Sequence, residues 1–384
     1  MGAHACGSPS KLKAARGFTL IELMVGLLIG MLTVLVIAQA LAVSEAKRRT
    51  IATGSDAQTN GAMALYTLQR EAQMAGYGGA SNPDGLGCAV KAQFASDTAF
   101  NFTLAPVVIE NDPTGLPDKI TFLRSRTSGF SVPIALAGAH TQLDDHFAVS
   151  TSFGVHAGNM LIAVPRMQSP TSGCTLFTVT DDKSIPEATL SATVIPHRPG
   201  PNGKWNQSTS IFPSGGYARD DYLLNMGTLM SRVYSIDASS SVSSLRVEEL
   251  SPTTGKAFSQ NLYPQIVNLQ ALYGKGTVDA ATGSVRIDSY DEDTPLTNAD
   301  WQKVVAVRIA VVARSIHYEK DEVTVDPNAK WEVGTSTPIK PATVPCNGPS
   351  QCIPIRVNHT PDWKHYRFKV FDTIVPLRNV MWNS

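Results

Sequence analysis

The chain has 384 residues, of which 43% are hydrophobic and 17% charged, and its 32 basic and 32 acidic side chains give no net charge. This length is enough for one large domain or two ordinary domains with a substantial core. Because the charges balance, there is no global basic field, so the composition argues against a nucleic-acid partner.

The first predicted element is a membrane-spanning helix near the amino terminus. From Leu23 to Val43 there is no charged residue, and at about 1.5 Å per residue this segment spans about 32 Å, the thickness of a bilayer core. A short polar leader with three basic residues precedes it and ends in Gly17. An ordinary secretory signal carries small residues after its apolar core, whereas here Lys47 follows, so we expect any cleavage to precede the apolar run.

Glu22 is the carboxylate that opens this apolar run. A charge at bilayer depth costs about 2.5–3.5 kcal/mol, so an isolated carboxylate there needs a partner. The alternative is that Glu22 lies close enough to the interface to reach into the lipid headgroups. Because ionisable residues inside membranes are functional by default, we favour a functional role.

The segment Gly17-Phe18-Thr19-Leu20-Ile21-Glu22 resembles the class III leader junction of type IV prepilins and type II secretion pseudopilins. In that family a prepilin peptidase cuts after the glycine and methylates the new amino terminus, and the glutamate serves assembly. The resemblance therefore implies cleavage between Gly17 and Phe18, methylation of Phe18 and an assembly role for Glu22.

The helical pattern continues beyond the apolar run. Apolar and small residues recur at three- and four-residue steps as far as Ala75, which predicts one helix from Phe18 to about Ala75. Gly54 and Gly61 are its weak points, since each costs about 1 kcal/mol relative to alanine. The segment 76–79, Gly-Tyr-Gly-Gly, supplies residues that readily adopt the left-handed conformation that ends a helix.

After Ser81 the sequence changes to short β-branched and aromatic runs separated by turn residues, which indicates an antiparallel sheet rather than βαβ units. The predicted strands are Val107–Glu110, Ile120–Arg124, Met160–Val164, Leu176–Thr180, Thr189–Ile195, Tyr222–Leu224, Leu229–Ile236, Leu245–Leu250, Ile266–Tyr273, Val285–Ile287, Val304–Ala313 and Phe368–Val375. Val304–Ala313 alternates least cleanly and is predicted to be a central strand covered on both faces. Residues 197–204 and 327–345 are rich in Pro, Gly and polar residues and are predicted to be exposed loops.

Five cysteines are present, and Cys6 falls in the leader, which leaves Cys88, Cys174, Cys346 and Cys352 in a domain expected outside the cytoplasm. Three pairings are possible. A turn sequence favours Cys346 with Cys352, worth about 2 kcal/mol, and this leaves Cys88 with Cys174, a longer loop worth about 4.5 kcal/mol. The alternatives are buried free thiols or a zinc site, and zinc is disfavoured because no CxxC motif or nearby histidine pair accompanies the cysteines.

Later segments extend the resemblance from residue 18 to residue 379. The segments similar to the PilW family of minor pilins are 68–79, 268–274, 304–309, 314–315, 366–371 and 377–379. The resemblance implies an α+β, pilin-like fold in three regions: a prepilin leader (1–17), an N-terminal transmembrane and assembly helix (18–79), and a large antiparallel β-rich periplasmic head (80–384).

No catalytic or metal site is evident in the sequence. There is no GxSxG, HExxH or Walker A motif, and the loop residues His359 and His365 near Asp362 are interpreted as solvated side chains. An EF-hand loop beginning at Asp291 fails because Pro295 occupies a ligand position, so the acidic run 288–293 is interpreted as a charged hairpin loop. We therefore expect no enzyme activity, no cofactor and no metal.

These features predict a membrane-anchored minor pilin that takes part in type IV pilus assembly. The resemblance implies an inner-membrane location with the head in the periplasm, followed by transfer to the pilus, at its tip. It implies as partners other minor pilins, the major pilin, a PilY-type tip adhesin and the prepilin peptidase, with roles in priming, twitching motility and adhesion. The nearest alternative is a J-type pseudopilin of type II secretion, and a membrane-tethered adhesin with its own ligand is an alternative of a different class.

Overall fold

The structure, a computed structural model, describes residues 17–80, 82–126, 132–168, 172–279, 282, 284–335, 337–346 and 348–381. Apart from Gly17, the predicted leader lies outside the described residues, and Cys6 lies outside them with it. The chain divides into two compact units, one ending at Thr53 and the other beginning at Gly54.

The first helix, α1 (Leu20–Met74), confirms the predicted amino-terminal helix. Its portion Leu20–Glu45 is long and apolar enough to cross a membrane, and none of it is buried within the protein. An apolar helix with no protein cover is expected to be solvated by lipid or by other subunits.

The second unit is built mainly of strands. In chain order the strands are β1 (Ala89–Ala92), β2 (Phe100–Thr103), β3 (Val107–Glu110), β4 (Lys119–Ser125), β5 (Ile134–Ala135), β6 (His146–Ala148), β7 (Met160–Val164), β8 (Cys174–Thr178), β9 (Val194–Pro196), β10 (Tyr222–Gly227), β11 (Leu229–Asp237), β12 (Ser244–Leu250), β13 (Ala257–Pro264), β14 (Ile266–Val278), β15 (Val285–Asp291), β16 (Val304–Arg314), β17 (Asn328–Gly334), β18 (Val344–Pro345), β19 (Gln351–Arg356) and β20 (Phe368–Pro376). Two short helices, α2 (Asn298–Gln302) and α3 (Arg378–Met381), complete the regular structure together with single-turn 3₁₀ helices.

The described strands form five sheets, with the strand orders β2-β1-β8-β7-β10-β5, β13-β12-β11-β4-β3, β15-β14-β16-β20, β17-β19-β18 and β6-β9. The pairings are antiparallel, as predicted, except that β1 runs parallel to β8 with Val90 opposite Cys174. This parallel pair joins segments far apart in the chain, and the loop between them holds the strands β2–β7.

The strand β16 lies between β14 and β20 and is buried at every position. One face of its sheet contributes to the core shared with α1, and the other packs against the three-stranded sheet around Trp331. The prediction of a central strand covered on both faces is therefore confirmed, because a strand buried on both sides needs no polar face.

Small residues on one face of α1 allow the helix to pack closely on the sheets. Ala64, Leu68 and Ala72 are fully buried in the core that they share with β3, β4, β14 and β16. An added Cβ at Gly61 would overlap the ring of Phe371. The glycine that weakens the helix by its propensity is therefore the residue that lets β20 approach it.

Two predicted strands need correction. Leu176–Thr180 is shifted, because β8 ends at Thr178, where the side-chain amide of Asn206 bonds both the N–H (2.8 Å) and the carbonyl oxygen (2.7 Å). Thr189–Ile195 is wrong over most of its length. The N–H of Ser191 donates to the Val194 carbonyl at 3.1 Å and closes a tight turn, so only the end of the segment reaches β9.

Two predicted loops and one predicted hairpin loop also need correction. Residues 327–345 contain β17 and β18, and Trp331 in β17 is buried. In residues 197–204, His197 is buried, so the segment is not an exposed loop throughout. Asp291 ends the strand β15 and pairs with Lys275 at 2.7 Å, which places it in the sheet rather than in a hairpin loop.

Candidate assembly site

The start of α1 is closed by a reciprocal pair of polar side chains. The backbone N–H and the hydroxyl of Thr19 donate to the Glu22 carboxylate at 3.0 and 2.8 Å, and the Glu22 N–H points to the Thr19 hydroxyl at 3.4 Å. This is the arrangement of a capping box, which satisfies N–H groups that have no partner within the helix. Glu22 therefore caps its own helix, whatever else it does.

The residues on the amino-terminal side of this cap are open. Phe18 is 88% exposed, and no atom of the described residues lies within 4 Å of a Cβ added at Gly17. The chain itself therefore sets no requirement for glycine at this position. Gly17 and Phe18 therefore directly precede the capped end of α1, and Phe18 is exposed there.

A buried network of charges fixes the carboxyl-terminal part of α1 to the head. Glu71, only 6% exposed, accepts a hydrogen bond from Arg232 at 2.6 Å. The same arginine bonds Glu249 on β12 at 2.6 Å, and Arg124 on β4 lies 3.6 Å from Glu71. Each buried charge has an opposite partner, which is the condition under which ions are tolerated in a protein interior.

The segments that carry the family resemblance have structural roles around α1. Asn379 donates to the carbonyl oxygens of Met74 (3.2 Å) and Ala75 (3.0 Å), so α3 caps the end of α1. The buried Arg308 on β16 bonds Asp372 on β20 at 2.9 Å. These polar residues therefore hold the helix and the central sheet in a fixed arrangement, a role that their spacing in the sequence does not reveal.

Both disulfides favoured by the sequence are present. Cys88 is joined to Cys174, across a sequence separation of 86 residues, and Cys346 to Cys352, across 6 residues. The first bridge is buried and fastens the start of β1 to β8, beside their parallel pairing. Disulfides of this kind are typical of proteins that fold in an oxidising compartment.

We expect the double variant Cys88→Ser/Cys174→Ser to lose about 4.5 kcal/mol of unfolding free energy, because the long loop that it frees gains more entropy when unfolded. The matched variant Cys346→Ser/Cys352→Ser should lose about 2 kcal/mol, because its loop is short. Urea unfolding of the full chain in detergent measures both losses. Equal losses in the two variants would contradict the loop-length argument.

A buried histidine pair was not foreseen from the sequence. The Nε2 atoms of His140 and His197 lie 2.8 Å apart, and His140 stacks on Phe147 with 3.8 Å between the ring centres. Burial lowers the pKa of His140 to about 4, although the Asp144 carboxylate acts in the opposite direction. Burial, followed by the neighbouring His140, holds the pKa of His197 well below its usual value.

The histidine pair should make the head less stable in mild acid. Between about pH 6.5 and pH 4 the unfolded histidines bind protons that the folded pair excludes, so the stability present above pH 6.5 is lost as the pH falls. The loss from His140 alone is on the order of 3 kcal/mol. The variant His140→Phe/His197→Phe should reduce the fall of the unfolding free energy with decreasing pH. Urea titrations at several pH values measure this effect. The control His156→Gln, at an exposed histidine, should leave the pH dependence unchanged.

In the part of the chain that the structure describes, the loop histidines His359 and His365 are not assembled into a catalytic site. His359 bonds the carbonyl oxygen of Val267 at 3.1 Å, and His365 bonds that of Glu319 at 2.8 Å. Within the described ranges no group of three or more His, Cys, Asp or Glu side chains converges as metal ligands would. A cavity of about 950 Å³ lies beside His197. Asp182 at its wall accepts a hydrogen bond from the neighbouring Ser184, so this carboxylate is held by its own loop.

Comparison with known proteins gives two family matches. Residues 12–38 match the prokaryotic N-terminal methylation motif, and residues 233–379 match type IV pilus-assembly protein W, the PilW family. No curated protein and no solved structure matches the chain. The first match covers the Gly17–Phe18 junction and the apolar helix as far as residue 38, and the second runs from the middle of β11 to the start of α3. Over these residues the chain is similar to a type IV pilus-assembly protein and to the amino-terminal segment of methylated pilins, which supports a pilin related to the type IV pilus.

Proposed function

We propose that this chain is a minor pilin that helps to prime type IV pilus assembly and then remains at the pilus tip. The combination that supports the proposal is an exposed apolar helix that follows a prepilin-like junction, and a head of which residues 233–379 match PilW. The three regions of the proposal are a removable leader (1–17), an assembly helix (18–79) and a periplasmic head (80–384). Membrane anchoring before assembly fits the same features.

The proposed mechanism is a sideways transfer of the helix from the bilayer to the filament core. An apolar helix gains little from leaving lipid, because lipid tails are as apolar as its neighbours in a filament. Helix packing and polar contacts therefore decide the equilibrium between the helix in the bilayer and the helix in the filament core. The hydroxyl of Thr33 already bonds the carbonyl oxygen of Ile29 at 2.7 Å, so it carries no unmet donor into either environment.

In this proposal the prepilin peptidase removes the leader after Gly17 and methylates Phe18. The freed amino group of Phe18, in the same or an adjacent subunit, pairs with Glu22. The other minor pilins and the major pilin are the neighbours of the helix in the filament, and a PilY-type adhesin is the partner of the head. Through these contacts the chain would support twitching motility and adhesion.

A strain that lacks this chain separates the pilus role from type II secretion. We expect it to lose surface pili and twitching motility while it continues to secrete type II substrates, and the restored chain, carrying a tag, should be recovered in sheared pili. Loss of secretion with normal twitching would instead assign the chain to the secretion system as a J-type pseudopilin. A strain with normal pili, normal twitching and normal secretion that no longer binds a surface would favour a tethered adhesin.

A further inference from the structure

The strand β13 (Ala257–Pro264) forms one edge of the five-stranded sheet and pairs with β12 alone. In an antiparallel pair every second residue directs its N–H and C=O groups away from the partner strand. Within the described part of the chain, no backbone hydrogen bond reaches β13 from its open side. The strand therefore offers a row of backbone donors and acceptors to a further strand.

Two other edges of the described sheets, β3 and β15, are covered by contacts within the protein. On β3, the N–H of Ile109 donates to the Tyr273 hydroxyl at 2.7 Å, and its carbonyl oxygen accepts from Thr294 at 3.0 Å. On β15, the backbone of Tyr290 bonds Pro338 (2.9 Å) and Lys340 (3.0 Å) in a segment that follows the edge. The protein thus satisfies these edges internally and leaves β13 open.

The composition of β13 does not protect it. Soluble proteins guard exposed edges with charged residues, prolines, bulges or very short strands, but β13 is eight residues long and carries no charge. Its proline, Pro264, and its irregularity near Leu262 are confined to its end. The first five residues, 257–261, are exposed, and Phe258 is 54% exposed.

The strand also adjoins the assembly helix. The hydroxyl of Tyr263 in β13 bonds the hydroxyl of Thr67 in α1 at 2.8 Å. On the outer side of the same part of α1, Met63 and Tyr66 are exposed. The end of β13 therefore lies against the carboxyl-terminal part of α1, the helix through which the proposed filament contacts form.

We propose that β13 is a docking edge to which a different pilin subunit of the same filament adds an extended, uncharged segment as a further strand. This inference rests on the proposed function. If one copy of the chain is present in the priming complex, the subunits beside it are other pilins. The added segment is uncharged because β13 itself has no charge to pair with. Charges beside the strand already have partners, since the Asp237 carboxylate accepts a hydrogen bond from Asn261 at 2.9 Å and Arg246 pairs with Glu248 on β12 at 3.3 Å.

Photo-crosslinking in cells that assemble pili tests the edge. A photoreactive amino acid replaces Ser259 in the tagged full chain, since Ser259 is exposed and lies on the outer face, opposite Glu248. The matched control carries the same amino acid at Ser240, an exposed serine in the loop between β11 and β12. We expect a crosslink to another pilin from position 259 that is at least ten-fold stronger than from position 240.

A lysine on the edge supplies the second measurement. Ser259→Lys should lower the amount of neighbouring pilin recovered with the chain at least ten-fold, whereas Ser240→Lys should not. Both variants should form both disulfides and keep the parental melting temperature, because both serines are exposed. If Ser259→Lys instead fails to fold, the crosslinking measurement decides alone.

Three results would overturn the proposal. A chain that enters sheared pili but gives equal crosslinks at the two positions has no docking edge at β13, although its pilus role stands. A crosslink to a second copy of this chain, or to an envelope protein that is not a pilin, identifies the wrong occupant. A chain that never enters pili removes the proposed function and this inference with it.

Discussion

Replacing Gly17 with valine should leave the leader attached to the whole population of the protein. In the proposed role the residue before the cut must be very small to fit the peptidase, and Val adds two methyl groups and a branched Cβ at that place. The described part of the chain tolerates the change, because none of its atoms lies within 4 Å of a Cβ added at Gly17. A processing defect would therefore be a defect of recognition by the peptidase and not of folding.

Mass spectrometry of the amino terminus measures this prediction. The parental protein should begin at a methylated Phe18, and Gly17→Val should begin at the start of the leader. Gly26→Val is the matched control, since Gly26 also has open space around it but lies inside the apolar helix. That variant should be processed normally. A parental protein that begins at Met1, or is cut after Val43, would refute processing at Gly17.

Local patterns were enough to predict the elements that organise the chain. The uninterrupted apolar run predicted the first part of α1, and β-branched runs bounded by turn residues predicted β3, β7 and β16. These elements are specified by the periodicity of their own residues, which any folded environment must satisfy. The Thr19 and Glu22 capping box also has a local signal, the spacing Ser/Thr-x-x-Glu ahead of an apolar run.

The remaining features depend on partners that are distant in sequence. β1 forms a strand because it pairs with β8, and the bridge between Cys88 and Cys174 joins the two segments. The residues next to each strand in the sequence therefore do not predict where that strand begins or ends. The polar residues around Trp331 predict a loop where the structure has β17. Trp331 is nevertheless buried, and its indole N–H donates to Asp372 in β20 at 3.1 Å. Glu71 meets Arg232 across 161 residues. Tertiary contacts decide such positions, and single-sequence periodicity does not register them.

Replacing Glu22 with alanine should sharply lower the amount of the chain in sheared pili while the processed protein accumulates in the inner membrane. In the proposed filament core Glu22 pairs with the freed amino group of Phe18, and removing one member of a buried ion pair typically costs about 3–5 kcal/mol. Membrane insertion should become easier, because the helix no longer carries a charge into the bilayer. The substitution thus destabilises the chain in the filament and stabilises it in the membrane. Accumulation in the membrane and loss from pili should therefore appear together.

The capping box gives this experiment its control. Alanine removes the acceptor for the Thr19 N–H and hydroxyl as well as the charge, and loss of a cap costs about 0.5–2 kcal/mol. Glutamine keeps the acceptor, since a capping box accepts Glu or Gln, but removes the charge. If the carboxylate acts through an ion pair, Glu22→Gln and Glu22→Ala should be lost from pili to a similar extent. Normal incorporation of Glu22→Gln beside a defective Glu22→Ala would assign the residue to helix capping, and normal incorporation of both would refute its assembly role.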